Sequence, residues 1–290
     1  SSWTPTNANA VEFSVDFSED VTGFIQSDLV LTGTAPGRTI TGFTGGPRAY
    51  TVTVGGISGT GSVTIAVAAG SCTDAVGNPN TAGGPTTYNI IKGSARVTLN
   101  ALSQTYNGTP RVVTATTQPA GLLVALTYNG NPTAPSAAGN YAVTGTINDA
   151  MYEGWTNGLL VINKATQAVS FPIIASQVAT NRVNLSASAS SGLPVGFAVA
   201  NGPAQIAGGT VLSFTGAGTV SVVAGQAGDG NWNAASSVTN GFRVYGYYAL
   251  TIVSPYGTAR PTPGNYGYVE GTVLTNCTTT PETRGTTQYV

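Results

Sequence analysis

Short segments in which apolar and polar residues alternate recur along the whole chain. Val11–Phe17 is the clearest of them, with Val11, Phe13, Val15 and Phe17 in alternation with polar residues. A period of two places the apolar side chains on one face of a β-strand. Similar segments follow at Asp28–Thr32, Tyr50–Val54 and Ser62–Val67, separated by turn residues such as Pro36-Gly37. Strands at this spacing predict a β-sandwich or barrel.

The pattern predicts several small domains in succession. Residues 95–164 have the strands of one complete β-domain, which ends in the apolar strand Leu159–Ile162. We predict domains at residues 1–92, 93–164 and 165–245, and a partial β-repeat at 246–290, which is too short to bury much core alone. The two lysines of the chain, Lys92 and Lys164, fall in short joints that we interpret as spacers. Joints without flexible Gly/Ser-rich or Pro-rich segments favour an extended, stiff array.

Within the second domain, the sequence indicates two local features. Asn107-Gly108 is a dipeptide that is typical of two-residue hairpin turns, and it predicts a hairpin between the strands on either side. Gly139-Asn140-Tyr141 predicts a turn into the alternating strand Tyr141–Ile147.

The composition indicates an all-β fold, and it argues against a nucleic-acid partner and against membrane insertion. Charged residues make up 7% of the chain, compared with about 25% in ordinary soluble domains, while hydrophobic residues make up 41%. Many Val, Ile and Thr residues at such low charge indicate folded β-structure, because disordered chains are usually highly charged. The net charge is −1 and no basic stripe is present, which argues against a nucleic-acid partner. No apolar run approaches the ~20 residues of a membrane helix, so we expect no membrane insertion.

The residue types that most enzymes need are missing or badly spaced. Histidine is absent, which removes the Ser-His-Asp and Cys-His arrangements and His-ligated zinc. Glu19 and Asp20 are adjacent in sequence and point to opposite faces of a strand, so they do not form a catalytic pair across a cleft. We therefore predict that the chain is not an enzyme. Cys72 and Cys277 lie in the first and last domains, and we predict buried free thiols, with an intermolecular bridge as the alternative.

Acidic residues concentrate in the first domain, which holds six of the eleven carboxylates. Asp20, Asp28, Asp74 and Asn78 come from loops that we expect at one end of the sandwich. Calcium is bound by oxygen ligands of this kind, so these four residues are a candidate calcium site and calcium is the candidate cofactor. The alternative is an acidic end that is simply solvated.

Aromatic residues are the candidates for ligand binding. Tyr152 and Trp155 lie in the loop 149–157, and Tyr266 and Tyr268 lie in the tyrosine-rich last segment. Aromatic rings of this kind stack on sugars or on protein surfaces. The alternative is that they pack the joints between domains.

Three segments carry resemblances to known families. Phe17-Ser18-Glu19-Asp20-Val21-Thr22-Gly23-Phe24 and Asp74-Ala75-Val76-Gly77-Asn78 resemble bacterial Ig-like repeats of large surface proteins. Ser103–Pro110 and the closing Leu160-Val161-Ile162-Asn163-Lys164-Ala165 resemble the MBG-type repeat of bacterial exported proteins. Gln226–Ala235 is similar to another Ig-like repeat of such proteins. The first of these repeats normally begins with a further strand ahead of Pro5, which this sequence lacks, so we expect an open sheet edge there.

These resemblances imply tandem Ig-like β-sandwiches in an exported bacterial protein, located outside the cell or on its surface. The implied function is structural: a segment of a stalk, a fibre, a surface layer or an adhesin shaft. The implied partners are neighbouring repeats of a longer chain, other copies of this chain and surface glycans. The alternative function is a carbohydrate- or protein-binding adhesion module that uses the exposed Tyr and Trp residues. A further hypothesis is head-to-tail assembly, in which the last segment of one chain completes the open first sandwich of the next.

Overall fold

The computed structural model of the chain describes residues 6–253, 259–260, 262–275, 277–278, 282–284 and 287–289. The regular secondary structure of this part of the chain is almost entirely β-strand, and its one helical element is a 3-10 turn at Gln26–Asp28. The chain divides into two compact units, residues 1–163 and residues 164–290. The first five residues of the chain, Ser1 to Pro5, lie outside the described residues.

The first unit begins with a sandwich of two three-stranded sheets. Its strands are β1 (Val11–Asp16), β2 (Val21–Thr22), β3 (Leu29–Gly33), β4 (Thr39–Gly45), β5 (Ala49–Gly55), β6 (Gly61–Val67), β7 (Thr73–Asp74) and β8 (Gly83–Ile90). One sheet has the order β1-β5-β4 and the other has the order β3-β6-β8, and a short ribbon joins β2 to β7. The apolar positions of the alternating segments, among them Phe13, Val52 and Val63, fill the space between the sheets.

The second sandwich completes the first unit. Its strands are β9 (Gly93–Ser94), β10 (Arg96–Asn100), β11 (Ser103–Thr105), β12 (Thr114–Gln118), β13 (Val124–Tyr128), β14 (Gly139–Ile147), β15 (Tyr152–Glu153) and β16 (Trp155–Asn163). One sheet pairs β10 with β12, and the other has the order β11-β16-β14-β13.

The predicted hairpin at Asn107-Gly108 is wrong. The flanking strands β11 and β12 pair with β16 and β10 and not with each other. The Asn107 side chain instead accepts hydrogen bonds from the backbone N–H and the hydroxyl of Thr109, which makes a local turn. The strand after this turn, β12, lies in the other sheet of the sandwich, where it pairs with β10.

The second unit contains a third sandwich. Its strands are β17 (Val169–Ser170), β18 (Gln177–Val178), β19 (Arg182–Asn184), β20 (Ser188–Ala189), β21 (Gly196–Asn201), β22 (Ala204–Ala207), β23 (Val211–Phe214), β24 (Gly218–Gly225) and β25 (Val238–Tyr245). The sheet orders are β18-β25-β24-β21 and β19-β23-β22, and β17 pairs with β20.

The last segment contributes two-stranded pairings. Its strands are β26 (Tyr247–Ile252), β27 (Ala259–Arg260), β28 (Gly264–Val269), β29 (Cys277–Thr278), β30 (Glu282–Arg284) and β31 (Thr287–Tyr289). β26 pairs with β28, β27 with β29 and β30 with β31, all antiparallel.

The described residues form three hydrophobic cores, one in each sandwich. The first extends from Val11 to Ile90, the second from Val113 to Ile162, and the third from Phe171 to Val244. Cys72 belongs to the first core as a buried free thiol, and burial together with the nearby charge of Asp28 raises the pKa of this thiol. The side chain of Cys277 lies outside the described residues.

The adjacent residues Leu159 and Leu160 offer a direct test of the second core. Leu160 has no exposed surface, whereas Leu159 is 51% exposed. We expect Leu160→Ala to lower the free energy of unfolding by about 2–5 kcal/mol, because it leaves a cavity in the core. The matched control Leu159→Ala is expected to change it by less than about 0.5 kcal/mol. Urea unfolding followed by circular dichroism measures both, and equal effects would contradict the assignment of the core.

Candidate functional site

The joint between the first and second sandwiches is held by contacts between their backbones and one lysine. Lys92 Nζ donates a hydrogen bond to the carbonyl oxygen of Asp149 at 2.7 Å. The next residue, Gly93, donates its N–H to Met151, and Ala95 donates to Glu153, at 2.8 and 2.7 Å. β9 and β15 form a short parallel pair here, and the Met151 side chain packs against the core of the first sandwich.

The carboxylate of Asp149 fixes the loop that receives the lysine. Its Oδ1 accepts hydrogen bonds from the backbone N–H groups of Met151 and Tyr152, at 2.7 and 2.9 Å. An Asp side chain that bonds to the backbone two residues further on is a common way to stabilise a turn. The turn therefore holds the Asp149 carbonyl in the position where Lys92 contacts it.

The same set of contacts occurs in the second unit. Lys164 Nζ donates to the carbonyl oxygen of Asp229 at 2.5 Å. Asp229 Oδ1 accepts the N–H groups of Asn231 and Trp232, both at 2.8 Å. Ala165, directly after the lysine, donates its N–H to Asn231 at 2.9 Å and accepts from Asn233 at 2.8 Å. The lysine contact, the aspartate turn and a backbone hydrogen bond from the residue after the lysine thus occur in both places.

We call this arrangement the lysine–aspartate joint, defined by Lys92 with Asp149 and by Lys164 with Asp229. In both copies the aspartate is followed three positions later by a large aromatic residue, as Asp149-Ala150-Met151-Tyr152 and Asp229-Gly230-Asn231-Trp232. The lysine precedes its aspartate by 57 residues in one copy and by 65 in the other. The sequence analysis singled out the two lysines but not the aspartates that they contact. The signal that could have identified the aspartates is the large aromatic residue three positions after each of them.

A different contact holds the last segment to the third sandwich. Glu270 accepts hydrogen bonds from Arg243 at 2.9 Å and from the Gly246 N–H at 3.1 Å, and its own N–H donates to the Gly246 carbonyl at 2.9 Å. These hydrogen bonds, first that of Gly246 and then that of Arg243, lower the pKa of the Glu270 carboxyl. The end of the β26–β28 pair that contains the start of β26 and the end of β28 is therefore fixed to the end of β25.

The candidate calcium residues have separate local roles. Asp74 is buried, and its carboxylate accepts the N–H groups of Val76 and Asn78 and the side-chain amide of Asn78. Asp28 accepts the N–H of Ile25 at 2.8 Å, and Asp20 is exposed directly before β2. Within the described residues, no three His, Cys, Asp or Glu side chains form a group that is suited to a metal ion. The calcium site stays a prediction.

The aromatic candidates lie in two places. Trp155 is 69% exposed and lines an open groove of about 710 Å³ next to the first joint, together with Lys92 and Glu153. Tyr152 is half-buried in β15, within the joint itself. Tyr266 and Tyr268 have ring centroids 6.1 Å apart, and the Tyr266 hydroxyl donates to the Thr262 carbonyl at 2.7 Å. The structure therefore places Trp155 and the pair Tyr266–Tyr268 in different units.

The middle sandwich resembles a known family. Residues 95–166 match the family model of the MBG domain. The matched residues contain β10 to β16 and end with Lys164 and the two residues that follow. The fold of the chain is all-β, with Ig-like sandwiches in tandem.

Solved structures resemble the chain at low sequence identity. The surface layer protein SbsC, domains 1-6, is 12% identical, with 91% of this chain and 44% of that chain covered and a TM-score of 0.25. Mouse cadherin-23 EC22-24 is 12% identical, with 76% of this chain and 86% of that chain covered and a TM-score of 0.27. The structure of Sidekick-1 immunoglobulin domains 1-5 is 11% identical, with 84% of this chain and 57% of that chain covered and a TM-score of 0.29.

This chain spans less than half of the length of the SbsC structure. These likenesses concern the fold alone. No curated protein sequence matches the chain. In the part of the chain that the structure describes, no helix is long and apolar enough to cross a membrane.

The turn of Asp74 makes the stability of the first sandwich depend on pH. Hydrogen bonds from Asn78, first from its backbone and then from its side chain, lower the pKa of the Asp74 carboxyl. A lowered pKa in the folded state contributes stability above the unfolded value of about 4, and this contribution is lost as the pH falls through the folded pKa. We expect Asp74→Asn to flatten the decrease in Tm below about pH 4.

Thermal unfolding between neutral and strongly acidic pH measures this effect. Asp20→Asn is the matched control, because Asp20 is exposed and lies in the neighbouring turn. An unchanged acid dependence of Tm in Asp74→Asn would contradict the role of these hydrogen bonds.

Proposed function

We propose that this chain is a structural segment of an extracellular repeat protein of the bacterial cell surface, a part of a stalk, a fibre or a surface layer. The MBG domain and the tandem sandwiches support a repeat protein of this class. The observation that carries the proposal is the lysine–aspartate joint, in which the lysine contact and the aspartate turn occur twice. A joint that recurs at the beginning of two successive domains suits a protein whose function is to hold its domains in position.

The chemistry of the joint suits a mechanical task. Lys92 is the last residue before the second sandwich, and it ties this point to a loop of that sandwich through a neutral carbonyl. Two backbone hydrogen bonds, from Gly93 and Ala95, lie directly beside it. Because several bonds must break together before the linker swings away, the joint opposes bending more strongly than one contact would. The partners in this proposal are neighbouring repeats of a longer chain.

The joint is tested by removing the aspartate that fixes its loop. Asp149→Ala leaves the N–H groups of Met151 and Tyr152 without their acceptor, so the loop loosens and the linker opens more often. Each lost hydrogen bond is worth about 1 kcal/mol, so we expect cleavage within residues 91–94 by a broad-specificity protease to accelerate by about fivefold or more. Mass spectrometry of the fragments over time measures this rate.

The control is Asp149→Asn, which keeps an oxygen acceptor at the same position and is expected to stay near the wild-type rate. Thermal unfolding of both variants checks that the sandwiches remain folded. Cleavage at the linker that is equally slow in Asp149→Ala and in the wild type would contradict the mechanical role of the joint.

A second candidate function is a carbohydrate- or protein-binding adhesion module, and the exposure of Trp155 favours it. The indole lies beside an open groove that also contains Glu153 and Lys92, so an apolar face and hydrogen-bonding groups meet there. Sugar rings stack on aromatic faces and take hydrogen bonds from neighbouring polar groups. Tyr266 and Tyr268 offer a second stacking surface in the last segment.

A glycan array with the labelled chain tests this second function. If the groove binds a sugar, Trp155→Ala is expected to lower the signal on every positive glycan at least about tenfold, as for the loss of an aromatic stacking contact. Leu159→Ala is the control, because Leu159 is an exposed apolar residue of the same strand that does not line the groove. No positive glycan, or signals that survive Trp155→Ala, would exclude this groove as a glycan site.

A further inference from the structure

The pair Asn107-Gly108, which does not form the predicted hairpin, lies in an exposed turn between β11 and β12. The turn belongs neither to a hydrophobic core nor to a joint. Oδ1 of Asn107 accepts two hydrogen bonds from Thr109, one from the backbone N–H at 3.1 Å and one from the hydroxyl at 2.8 Å. The side-chain carbonyl of Asn107 is therefore polarised by two donors of the same residue.

Gly108 lies between these two residues and leaves its own nitrogen accessible. It has a φ of 83°, and a Cβ at this position would meet no atom within 4 Å. Among the described residues, the N–H of Gly108 donates no hydrogen bond. No neighbouring group therefore hinders the approach of the Gly108 nitrogen to Cγ of Asn107.

An asparagine that precedes glycine can react with its own backbone. The nitrogen of the glycine loses its proton to a base and attacks Cγ of the asparagine, which forms a new C–N bond. The side-chain nitrogen takes up a proton and leaves as ammonia, and a cyclic imide remains. Water then opens the imide at either of its two carbonyl groups, so the products are aspartate and isoaspartate. The net reaction consumes water and releases ammonia, without oxidation or reduction.

The two donors of Thr109 act on the step in which the C–N bond forms. During the attack, the side-chain oxygen of Asn107 acquires negative charge. Hydrogen-bond donors that already face such an oxygen stabilise its developing charge. Hydrogen bonds to a charged oxygen are also stronger than those to a neutral one, so both bonds favour the intermediate over the starting amide.

The chain contains five Asn-Gly pairs, and the fold restrains the other four. Oδ1 of Asn129 accepts the Ala142 N–H at 2.8 Å, and the Asn129 N–H donates to the Ala142 carbonyl at 2.7 Å. Asn157 lies within β16, and its Oδ1 accepts the hydroxyl of Thr144 at 2.9 Å. Both asparagines are thus fixed to a neighbouring strand.

The remaining two pairs are restrained by packing. A Cβ at Gly202 would lie 2.2 Å from the carbonyl oxygen of Thr219, so this backbone is in close contact with the next strand. Asn240 is buried in β25, and its side-chain amide donates to the Pro172 carbonyl at 2.7 Å. Closure of the imide ring at these four pairs requires a local opening of the sheet, which costs free energy.

We propose that Asn107 is a site of spontaneous deamidation, at which the Gly108 nitrogen attacks the Asn107 side chain with the assistance of Thr109. Aspartate at this position adds one negative charge to a chain whose net charge is −1. Isoaspartate adds the charge and also lengthens the main chain of the turn by one carbon. This inference concerns the covalent chemistry of the chain and does not rest on the proposed function.

Incubation of the folded chain at mildly alkaline pH tests the site. Digestion with a protease that is active in acid stops the reaction, and liquid chromatography with mass spectrometry detects the replacement of NH2 by OH. Asn107→Asp supplies the standard for one product. We expect Asn107 to react at least about tenfold faster than each of the other four pairs, because those pairs need a local opening. The rate is expected to rise with pH, because base removes the proton of the attacking nitrogen.

Two variants separate the role of Thr109 from the effect of the Asn-Gly pair itself. Thr109→Val keeps the shape of the side chain and the backbone N–H but removes the hydroxyl donor. We expect it to slow the deamidation of Asn107 by about tenfold or more, as for the loss of a hydrogen bond to a charged oxygen. The matched control is Thr105→Val, because Thr105 lies in β11 outside the turn and is expected to leave the rate unchanged.

The same incubation in urea shows whether the fold selects the site. We expect the rates of the five Asn-Gly pairs to converge in the unfolded chain, because the restraints on the other four are lost. Thermal unfolding confirms that each variant is folded at the start.

Three results would overturn the proposal. The first is a rate at Asn107 in the folded chain that is no higher than at the other four pairs. The second is an equal rate in Thr109→Val and in the wild type, because Thr109 would then give no assistance. The third is a preference for Asn107 that persists in urea, because local sequence and not the fold would then select the site.

Discussion

Backbone hydrogen bonding across sheet edges is the constraint on which the rest of this structure depends. The chain has few charged residues, and in the part that the structure describes Arg243 and Glu270 form the one ion pair. Sandwiches with so few charges cannot discourage strand addition by placing lysines along their edges. The second and third sandwiches instead pair a strand with a short strand from their own beginnings, β10 with β12 and β17 with β20.

The joints follow from the same constraint. Where a linker enters a sandwich, its N–H groups pair with a loop of that sandwich, so that the polar backbone is satisfied at the point of entry. The lysine adds a charged donor to this pairing, and charge-assisted hydrogen bonds are stronger than those between neutral groups. The last segment solves the same problem with the opposite charge, since Glu270 accepts the Gly246 N–H and the Arg243 guanidinium at the end of β25.

Much of the fold follows from local sequence, and most of the joint does not. The alternation in Val11–Phe17 predicted β1 to within one residue. The alternation depends only on which face of the strand is buried, so it can be recognised without knowing the partner strand. The Asn107-Gly108 hairpin was wrong because a turn signal specifies a local bend, whereas the sheet that receives each strand is decided by distant residues. The contact of Lys92 with Asp149 spans 57 residues and ends on a backbone carbonyl, a group that every residue has. The sequence marks such an acceptor only indirectly, through the aspartate and the aromatic residue three positions after it. Trp155 was predicted as a candidate because aromatic rings stack on sugars or on protein surfaces. The structure places it at the start of β16 and not in a loop, with 69% of its surface exposed.

The acceptor of the joint lysine has a consequence for how proteins of this kind change over evolutionary time. Because Lys92 and Lys164 contact a main-chain oxygen and not a particular side chain, the contact does not require matched residues on the two sides. A gene segment that encodes one sandwich, with the lysine before it and the aspartate and aromatic residue in its loop, carries the whole joint with it. Such segments are suited to duplication, deletion and exchange as complete units.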